Sequence, residues 1–315
     1  MLEVPNKLIL NCEETINERF PKNLDRLITS FLIQRVFTTI SPDAKYLLRK
    51  ACDEETDATS IKFLKTYLEN VDIAERQKKP VCQSPGLPAI YIKHGDNMLH
   101  IINILKKTIQ RAIIRSTKTG FLRPSVVNPL SRKNTGDNSG LGIPYVELEY
   151  DSSVKFIEVI ISFKGCGAEL GNAMKILTPA EVGKNAKGIK KFVIDTVINA
   201  NGKPCPPFSL GIGIGGQMHD AARLSRHAVS TRKWTDKNTD SVLAAMEEEL
   251  LYKINQLGIG PGGIGGKHTA LSVKIAMNYT HSAICPVAVN FHCWVARRSG
   301  IRIYPDGNVI YLFDD

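Results

Sequence analysis

The first third of the chain places hydrophobic residues three and four positions apart. This spacing runs through NLDRLITSFLIQRVF and SIKFLKTYLENVDIAERQ and predicts two amphipathic helices. Residues 57–60 supply capping side chains before the second of them. A further helix is predicted from about residue 97 to 116, and AIYIK predicts a short strand before it. We therefore expect residues 1–117 to form a mainly helical N-terminal part.

The remainder, residues 118–315, mixes strand and helix patterns. PYVELEY and VKFIEVIISFK read as strands around a turn at residues 151–153, which predicts a hairpin. Helices are predicted at about 186–200, in HDAARLSRHAV and in AAMEEELLYKINQLG, and strands in PFSLGIGIGG, IAMNYT and PVAVNFHCWVA. A second hairpin is predicted at the turn of residues 305–308. The expected fold class is α+β, a helical part followed by a mixed β-sheet part with packed helices.

Composition and charge exclude some classes of function and leave others open. Hydrophobic residues make up 43% of the chain, enough for a globular core. No basic segment with a following apolar run begins the chain, and no stretch approaches 18 apolar residues, so we expect neither a signal peptide nor a membrane span. The net charge of +10 suits a nucleic acid, an anionic substrate or an acidic partner. The basic residues are spread out without interleaved aromatics, which favours a solvated basic surface.

The cysteines are scattered singly along the chain, which favours reduced thiols in a cytoplasmic protein over a disulfide framework. They are Cys12, Cys52, Cys82, Cys166, Cys205, Cys285 and Cys293. No C-x2-C pair occurs, which excludes zinc ribbons and ferredoxin-type runs. Any metal site must therefore draw its ligands from distant positions. Cys205 stands between Pro204 and Pro206, whose rings fix the backbone on both sides and suit a rigidly held ligand.

Three glycine-rich stretches raise the possibility of nucleotide binding. Gly211, Gly213 and Gly216 fit G-x-G-x-x-G, which would suit a nicotinamide-dependent oxidoreductase, but no clean β-α-β unit or ribose-binding acid surrounds them. Tight packing of a strand against a helix explains these glycines equally well. GIGPGGIGGKHT fails the spacing of a phosphate loop, and KGCGAELG fits neither template.

Six motifs, in order along the chain, resemble one known family. They are KPVCQSPGLPAIYIKHG, LRPSVVNPLSRKNTGDNSG, FKGCGAELGNAMKILTPAE, GKPCPPFSLGIGIGG, LGIGPGGIGGKHTAL and CPVAVNFHCWVARR. They are similar to the N-terminal half of class I, oxygen-sensitive fumarases and to the alpha subunit of L-tartrate dehydratase. The resemblance extends from about residue 25 to 300, nearly the whole chain.

The resemblance implies that a 4Fe-4S cluster is held by Cys82, Cys205 and Cys293, the positions that match the family's three ligands. Three thiolates leave one iron without a protein ligand, and that iron can act as a Lewis acid on a hydroxyl group. The other four cysteines do not match ligand positions and are expected to be packing thiols. The implied activity is that of a hydro-lyase, which hydrates or dehydrates a small dicarboxylate.

The family's substrate contacts from this half fall on Gln83, Arg123 and Gly167, and His281 matches a histidine close to the site, a candidate for proton transfer. Each has a structural alternative: Arg123 as a surface arginine, for example, and His281 as a histidine at the end of a strand. One departure concerns chemistry. The family loop reads C-Q-D-T-G, whereas Ser84 here replaces the aspartate and cannot carry a charge near neutral pH.

The resemblance also implies a partner. In single-chain relatives a C-terminal half supplies the remaining substrate contacts, which suggests a separate beta-type subunit here and an alpha2beta2 hetero-oligomer. Fumarate and malate, tartrate, and mesaconate and citramalate all remain candidate substrates. The alternatives are an iron–sulfur protein that has lost or changed the reaction and serves as a binding or regulatory subunit, and the nicotinamide-dependent oxidoreductase.

Overall fold

The computed structural model describes residues 24–96 and 99–314. The helices in chain order are α1 (Leu24–Phe31), α2 (Pro42–Glu54), α3 (Ala58–Gln77), α4 (Leu99–Lys118), α5 (Cys166–Leu170), α6 (Pro179–Val182), α7 (Lys187–Ala200), α8 (Met218–Thr231) and α9 (Ser241–Asn255). The strands are β1 (Leu87–His94), β2 (Tyr145–Tyr150), β3 (Ile157–Lys164), β4 (Ala173–Leu177), β5 (Phe208–Ile214), β6 (Ala270–Met277), β7 (Cys285–His292), β8 (Arg297–Ile303) and β9 (Val309–Leu312). Short irregular turns of helix occupy Leu32–Phe37, Lys184–Ala186 and Pro261–Gly263. Cys12 lies outside the described residues.

The strands form two mixed sheets, which confirms the α+β class. One has five strands in the order β2-β1-β3-β8-β9, and the other has four in the order β4-β7-β5-β6. Among the strands of the described residues, only the β1–β2 and β5–β6 pairs are parallel. The predicted hairpin at residues 305–308 is confirmed, since β8 and β9 pair antiparallel across it.

The predicted hairpin at residues 151–153 is wrong, although both of its strands exist. β1 lies between β2 and β3 and pairs with each of them. A strand from the predicted helical part therefore completes the sheet of the later part. Local pattern identifies strands but not this partner, because the pairing joins segments about 55 residues apart in sequence, as in Ala89 opposite Tyr145.

Helix α8 lies between the two sheets and packs on β5, β6, β7 and β3. Its contact with β5 is so close that a Cβ at Gly211 would lie 1.8 Å from the Ser225 carbonyl oxygen, and one at Gly213 would lie 1.9 Å from that of Ala221. These two glycines thus serve strand-to-helix packing, the alternative to a nucleotide fingerprint. On its far face the five-stranded sheet packs against α1 and α4, and a larger core surrounds the four-stranded sheet.

The predicted division near residue 117 falls at the end of α4 and stays a prediction. Across residues 24–96 and 99–314, every helix is too short or too polar to traverse a lipid bilayer.

A buried ion pair ties α2 to β8. Arg298 is fully buried, and one of its guanidinium nitrogens donates to the carboxylate of Asp43, which is 6% exposed. The same carboxylate accepts the backbone N–H of Trp234 at 2.6 Å, and the guanidinium stacks on the Trp234 and Phe313 rings at 4.7 and 4.6 Å. Four parts of the chain therefore meet at one charge pair.

We predict that Asp43→Ala lowers the free energy of unfolding by about 3–5 kcal/mol, because it leaves the Arg298 charge buried and unpaired. Urea denaturation of the purified chain measures this. Asp53→Ala, an exposed carboxylate on the same helix, is the matched control and should change the free energy by no more than about 0.5 kcal/mol. Equal midpoints for the two variants would contradict this role for Asp43.

Candidate functional site

Three loops bring Cys82, Cys205 and Cys293 to one end of the four-stranded sheet. Cys205 precedes β5, and Cys293 directly follows β7. These strands pair antiparallel with Ser209 opposite His292, so the start of one lies beside the end of the other. Cys82 comes from the loop between α3 and β1.

The backbone around Cys205 is held on several sides. Its φ of +55° lies in the left-handed region, which costs a residue with a Cβ roughly 1–2 kcal/mol. Its N–H donates to the Gly202 carbonyl at 3.1 Å, and its own carbonyl accepts the Trp294 N–H at 3.4 Å. The Gly262 N–H donates to the Pro206 carbonyl at 2.9 Å. The flanking prolines and these bonds hold the backbone at Cys205 on both sides.

The loop of Cys82 rests on the end of β3. Gly86 has a φ of +76°, and a Cβ there would lie only 2.1 Å from the Lys164 carbonyl oxygen. At the other end of the loop, the Val81 N–H donates to the Phe37 carbonyl at 3.0 Å. The Arg297 guanidinium donates to the Ser84 carbonyl, which connects this loop to β8.

The three thiols lie within electrostatic reach of one another. Burial, with Cys205 and Cys82 nearby, raises the pKa of the Cys293 thiol to about 11 against the lowering effect of Arg297. Burial also raises the pKa of Cys205, as do Cys82 and Cys166 beside it. Cys166 is exposed, so it is not the packing thiol that was expected; Cys52 and Cys285 are half-buried.

Arg297 is the residue that sequence reasoning passed over. It is 2% exposed, its Nε has no hydrogen-bond partner, and no carboxylate among the described residues forms an ion pair with it. Burial lowers its pKa, and the groups that oppose this by favouring its charge are Cys293 and Cys82. A buried guanidinium needs a compensating anion, and thiolates at these positions would supply it. Its place in HCWVARR, four residues after Cys293, was the available signal.

The three thiols are a donor set that could hold an iron–sulfur cluster. Within residues 24–96 and 99–314, no three histidine, cysteine or acidic side chains converge closely enough to hold one metal ion. In a cubane each thiolate binds a different iron, so its cysteines stand further apart than the ligands of one ion. Three neighbouring thiols and an uncompensated buried cation therefore suit an anionic iron–sulfur centre.

A buried polar network borders this site. The Lys164 ammonium, 1% exposed, donates to Asn290 and, at 3.2 Å, to Asn172. Glu169 lies 3.4 Å from Lys164 and binds Arg226 at 2.5 Å. Burial lowers the pKa of Lys164 to about 7, against the raising effect of Glu169. Burial works to raise the pKa of Glu169, but Lys164 and Arg226 lower it on balance.

A cavity of about 470 Å³ opens next to this network, between the start of β1, the residues before β2, and α8. Leu87, Arg226 and Asn290 are among its lining residues. The volume lies within the range of small-molecule sites. The cavity therefore connects the surface to the network beside the thiols.

Two of the predicted substrate contacts, Gln83 and Gly167, lie beside the thiols. Gln83 is exposed next to Cys82. A Cβ at Gly167 would lie 3.7 Å from the Cys205 sulfur and 2.5 Å from the Lys203 carbonyl oxygen, so only glycine fits there. Both positions are compatible with contact to a molecule bound beside the thiols.

The other two make no contact with the thiols in the part of the chain that the structure describes. Arg123 is exposed, and its carbonyl accepts the side-chain amide of Asn138 at 3.0 Å. His281 is exposed in the loop between β6 and β7, where its Nδ1 accepts the Ala283 N–H at 3.1 Å. That loop is at the opposite end of β5 and β7 from Cys205 and Cys293, about 20 Å away at the usual rise of a strand. A single chain therefore does not bring His281 to the thiols.

Known proteins are similar to this chain over most of its length. A family model described as Fumarate hydratase (Fumerase) matches residues 27–302. The chain is 40% identical to a putative L(+)-tartrate dehydratase subunit alpha from Methanocaldococcus jannaschii, over 85% of this chain and 93% of that protein. It is 34% identical to a putative fumarate hydratase class I from Geobacillus stearothermophilus, over 90% of this chain and 56% of that longer protein. The L(+)-tartrate dehydratase subunit alpha of Escherichia coli (strain K12) is 27% identical, over 93% and 95%.

We predict that Lys164 makes the stability of the metal-free chain rise between about pH 7 and pH 10.5. The folded chain releases this proton near its lowered pKa of about 7, whereas the unfolded chain keeps it to about 10.5. The unfolded state therefore binds more protons in that window, and the free energy of unfolding increases with pH. Lys164→Met should flatten this slope in urea denaturation under reducing conditions.

Lys175→Met is the control, since Lys175 is half exposed and pairs at the surface with Glu181. It should keep the slope of the parent chain. A Lys164→Met chain whose slope matches both would show that the buried ammonium keeps an ordinary pKa.

Proposed function

The chain belongs to the class I fumarate hydratase and tartrate dehydratase alpha-subunit family and is a hydro-lyase, and from that premise we propose that it is the alpha subunit of a 4Fe-4S-dependent enzyme. Its reaction would be the reversible hydration of a small dicarboxylate. The observation that carries this proposal is the buried Arg297, which pairs with no carboxylate of residues 24–96 and 99–314 and whose charge the nearby Cys293 and Cys82 favour.

In this proposal Cys82, Cys205 and Cys293 hold the cluster, and Arg297 compensates part of its negative charge. When bound, the cluster supplies a Lewis-acidic iron that polarises the substrate hydroxyl as it leaves or adds. Gly167 keeps the space beside Cys205 open, because any side chain there would collide with Lys203. The cavity next to Lys164 is the route by which a substrate would enter.

The remaining tasks are charge neutralisation and proton transfer. Gln83 would donate its amide to a substrate carboxylate beside Cys82, and Arg123 would supply a bidentate cation. Ser84 can hydrogen-bond but cannot ionise near neutral pH, so the proton needs another carrier. His281 is our candidate, because an imidazole titrates near neutral pH. Its position at the far end of β7 means that a second copy of the chain would have to supply it.

The partner is proposed from the relatives. Two of them, similar to this chain over more than nine tenths of their own length, carry the name subunit alpha. We assign this chain the same place, with a beta-type subunit supplying the other substrate contacts in an alpha2beta2 assembly in the cytoplasm. Two exposed predicted contacts, Gln83 and Arg123, are accessible to such a partner.

For the substrate we propose fumarate and malate, with tartrate or mesaconate as alternatives. One observation favours a second function: Ser84 replaces the family's acid, and its carbonyl is held by Arg297. A chain that keeps the cluster but has lost the reaction would serve as a binding or regulatory subunit. Both possibilities differ from a nicotinamide-dependent oxidoreductase, whose glycine motif is occupied by α8 packing.

The deciding experiment is anaerobic co-expression with a beta-type subunit of this family, followed by a screen of these dicarboxylates. Turnover by the pair, with little by the isolated chain, is the expected result. A stable pair that carries the cluster and turns over none of the substrates would favour the regulatory function. A chain that takes up no iron and sulfide would overturn the proposal.

We predict that Cys205→Ala loses the cluster, because a cubane held by only two thiolates leaves two irons unprotected. Iron and sulfide per chain, counted after anaerobic reconstitution, measure this. Cys285→Ala is the matched control, since Cys285 is half-buried at the opposite end of β7 from Cys293, and it should keep the full content. Full content in Cys205→Ala would remove this cysteine from the ligand set.

We predict that His281→Asn in the co-expressed assembly lowers turnover by about 10²–10⁴-fold, the usual worth of general acid–base help, and leaves the cluster spectrum intact. Because His281 would act from a second copy, mixing this variant with Cys205→Ala should restore activity. In the mixed pair, the chain with intact cysteines receives its histidine from the other chain. Two differently tagged chains isolate that pair.

A mixed pair as inactive as either parent would show that His281 does not reach across. Unchanged turnover in His281→Asn alone would make this histidine structural. The proton would then have to come from the beta-type subunit.

A further inference from the structure

Strand β4 forms one edge of the four-stranded sheet and, among the described strands, pairs only with β7. Two hydrogen bonds show which residues of β7 face it. The Phe291 N–H donates to the side-chain oxygen of Asn172, just before β4, at 2.9 Å. The Pro286 carbonyl accepts the Gly215 N–H, at the end of β5, at 2.8 Å. Because successive residues of an antiparallel strand face opposite neighbours, the odd-numbered residues of β7 face β4 and the even-numbered ones face β5.

Two residues of β4 consequently turn their backbone groups away from the sheet. Lys175 lies opposite Val287, an odd-numbered residue, so it exchanges hydrogen bonds with β7. Met174 and Ile176 alternate with Lys175, and their N–H and C=O groups point outward, where no other strand of the described residues pairs with them. Their side chains are 41% and 46% exposed. An edge with an open backbone and exposed apolar side chains is a template for a further strand.

This open edge begins beside the thiols. Helix α5 leads into β4 and carries Gly167, where a Cβ would lie 3.7 Å from the Cys205 sulfur. The same helix ends at Leu170, a third apolar side chain, which is 71% exposed. A strand added to β4 would therefore have one end next to the thiols.

The surface around this edge is basic. Residues 173–191 hold five lysines and one acidic residue, Glu181, which pairs with the half-exposed Lys175. Helix α7 packs on β4, and a cleft of about 490 Å³ along this helix is lined by four of the lysines, Lys184, Lys187, Lys190 and Lys191. The acidic residues of the cleft, Glu249 and Asp195, already pair with Lys190 and Lys191. An acidic segment would complement the charge that remains.

A second copy of the chain fits this edge poorly. The antiparallel register that pairs both outward residues joins Met174 to Ile176 of the other copy and places Lys175 opposite its own counterpart. Like charges directly opposite each other destabilise a pair of strands. The charge of the edge therefore favours a different chain with acidic residues.

We propose that the beta-type subunit docks on β4 by adding an extended, acidic segment to this edge of the sheet. The inference rests on the proposed function, from which it takes its partner, and it names the surface of contact. In an added strand, main-chain hydrogen bonds provide affinity, and alternate side chains such as Met174 and Ile176 provide specificity. Docking here would bring a second chain to the position beside Gly167, where the proposed function requires its substrate contacts.

The experiment is an anaerobic titration of the reconstituted chain with the purified beta-type subunit of this family. Met174→Asp should weaken binding by about tenfold or more, because it places a charge in an apolar contact. Met277→Asp is the matched control, since Met277 is 48% exposed and pairs with the end of β5 that lies furthest from Cys205. It should bind as the parent chain does.

A charge reversal tests the acidic character of the segment. Lys175→Glu should also weaken binding, whereas Lys237→Glu, another exposed lysine paired with a surface glutamate, should leave it unchanged. Iron content and thermal unfolding of all four variants should match the parent chain, so that a loss of binding reports on the surface alone.

Hydrogen exchange separates an added strand from a contact between side chains. In the pair, the outward amides of Met174 and Ile176 should exchange at least about tenfold more slowly than in the isolated chain, because they would donate to the new strand. The Lys175 amide, which faces β7 in either case, should change little and serves as an internal control.

Four results would count against the proposal. A parent chain that binds no beta-type subunit would overturn the proposed partner and this inference with it. Binding that neither Met174→Asp nor Lys175→Glu weakens would overturn the inference alone. A stable pair in which Met174 and Ile176 exchange as fast as in the isolated chain would exclude the added strand. Self-association of the isolated chain that protects these amides, and is lost in Met174→Asp, would assign the edge to a second copy.

Discussion

Two adjacent arginines enter the core where the chain crosses from the four-stranded to the five-stranded sheet, and the cost of burying their charges constrains everything around them. The charge of Arg298 is compensated within the fold by the Asp43 carboxylate and by two aromatic rings. In the described part of the chain no carboxylate pairs with Arg297, and its charge is favoured instead by Cys293 and Cys82. Burying a cation without an anionic partner is unfavourable, so negative charge bound beside Arg297 would stabilise the fold there. Arg298 stabilises the crossing itself through its ion pair with Asp43.

The thiols complement this constraint. Burial raises the pKa of Cys293 to about 11, which opposes its deprotonation in the metal-free chain. A metal ligand must be a thiolate, so cluster binding would release protons and place negative charge beside Arg297. The unfavourable burial of the cation and that of the thiolates would then offset each other. This mutual compensation is the physical reason to treat Arg297 and the thiols as parts of one site.

The sequence anticipated the elements better than their partners. Periodicity located β2, β3 and the helices after residue 186, because each is specified by its own side chains. It paired β2 with β3, because nothing local shows that β1 lies between them. The same limit applies to the site. Cys205 was marked by its prolines and the proposed ligand set by the family motifs, whereas Arg297 matters through a contact made far along the chain, with the Ser84 carbonyl. The distance of His281 from the thiols also follows from β7, which places His281 before its start and Cys293 after its end. No sequence motif gives this separation.

The glycine-rich segments bring elements of the fold close together. Their motifs resembled nucleotide loops because both uses demand a backbone without side chains. Here the close approach is internal: α8 lies on Gly211 and Gly213, and Gly262 binds the Pro206 carbonyl next to Cys205. The freed space therefore serves to bring elements together around the thiols rather than to admit phosphate. What remains open is the cavity beside Lys164 and the exposed Gln83 and Arg123. A dicarboxylate needs cations on both of its ends, and the described residues beside the thiols offer Arg297 and Lys164 only as buried groups engaged with the protein. In the proposed assembly, Arg123 and a second chain would therefore supply the free cations for the substrate, and the partner would belong to the chemistry as well as to the assembly.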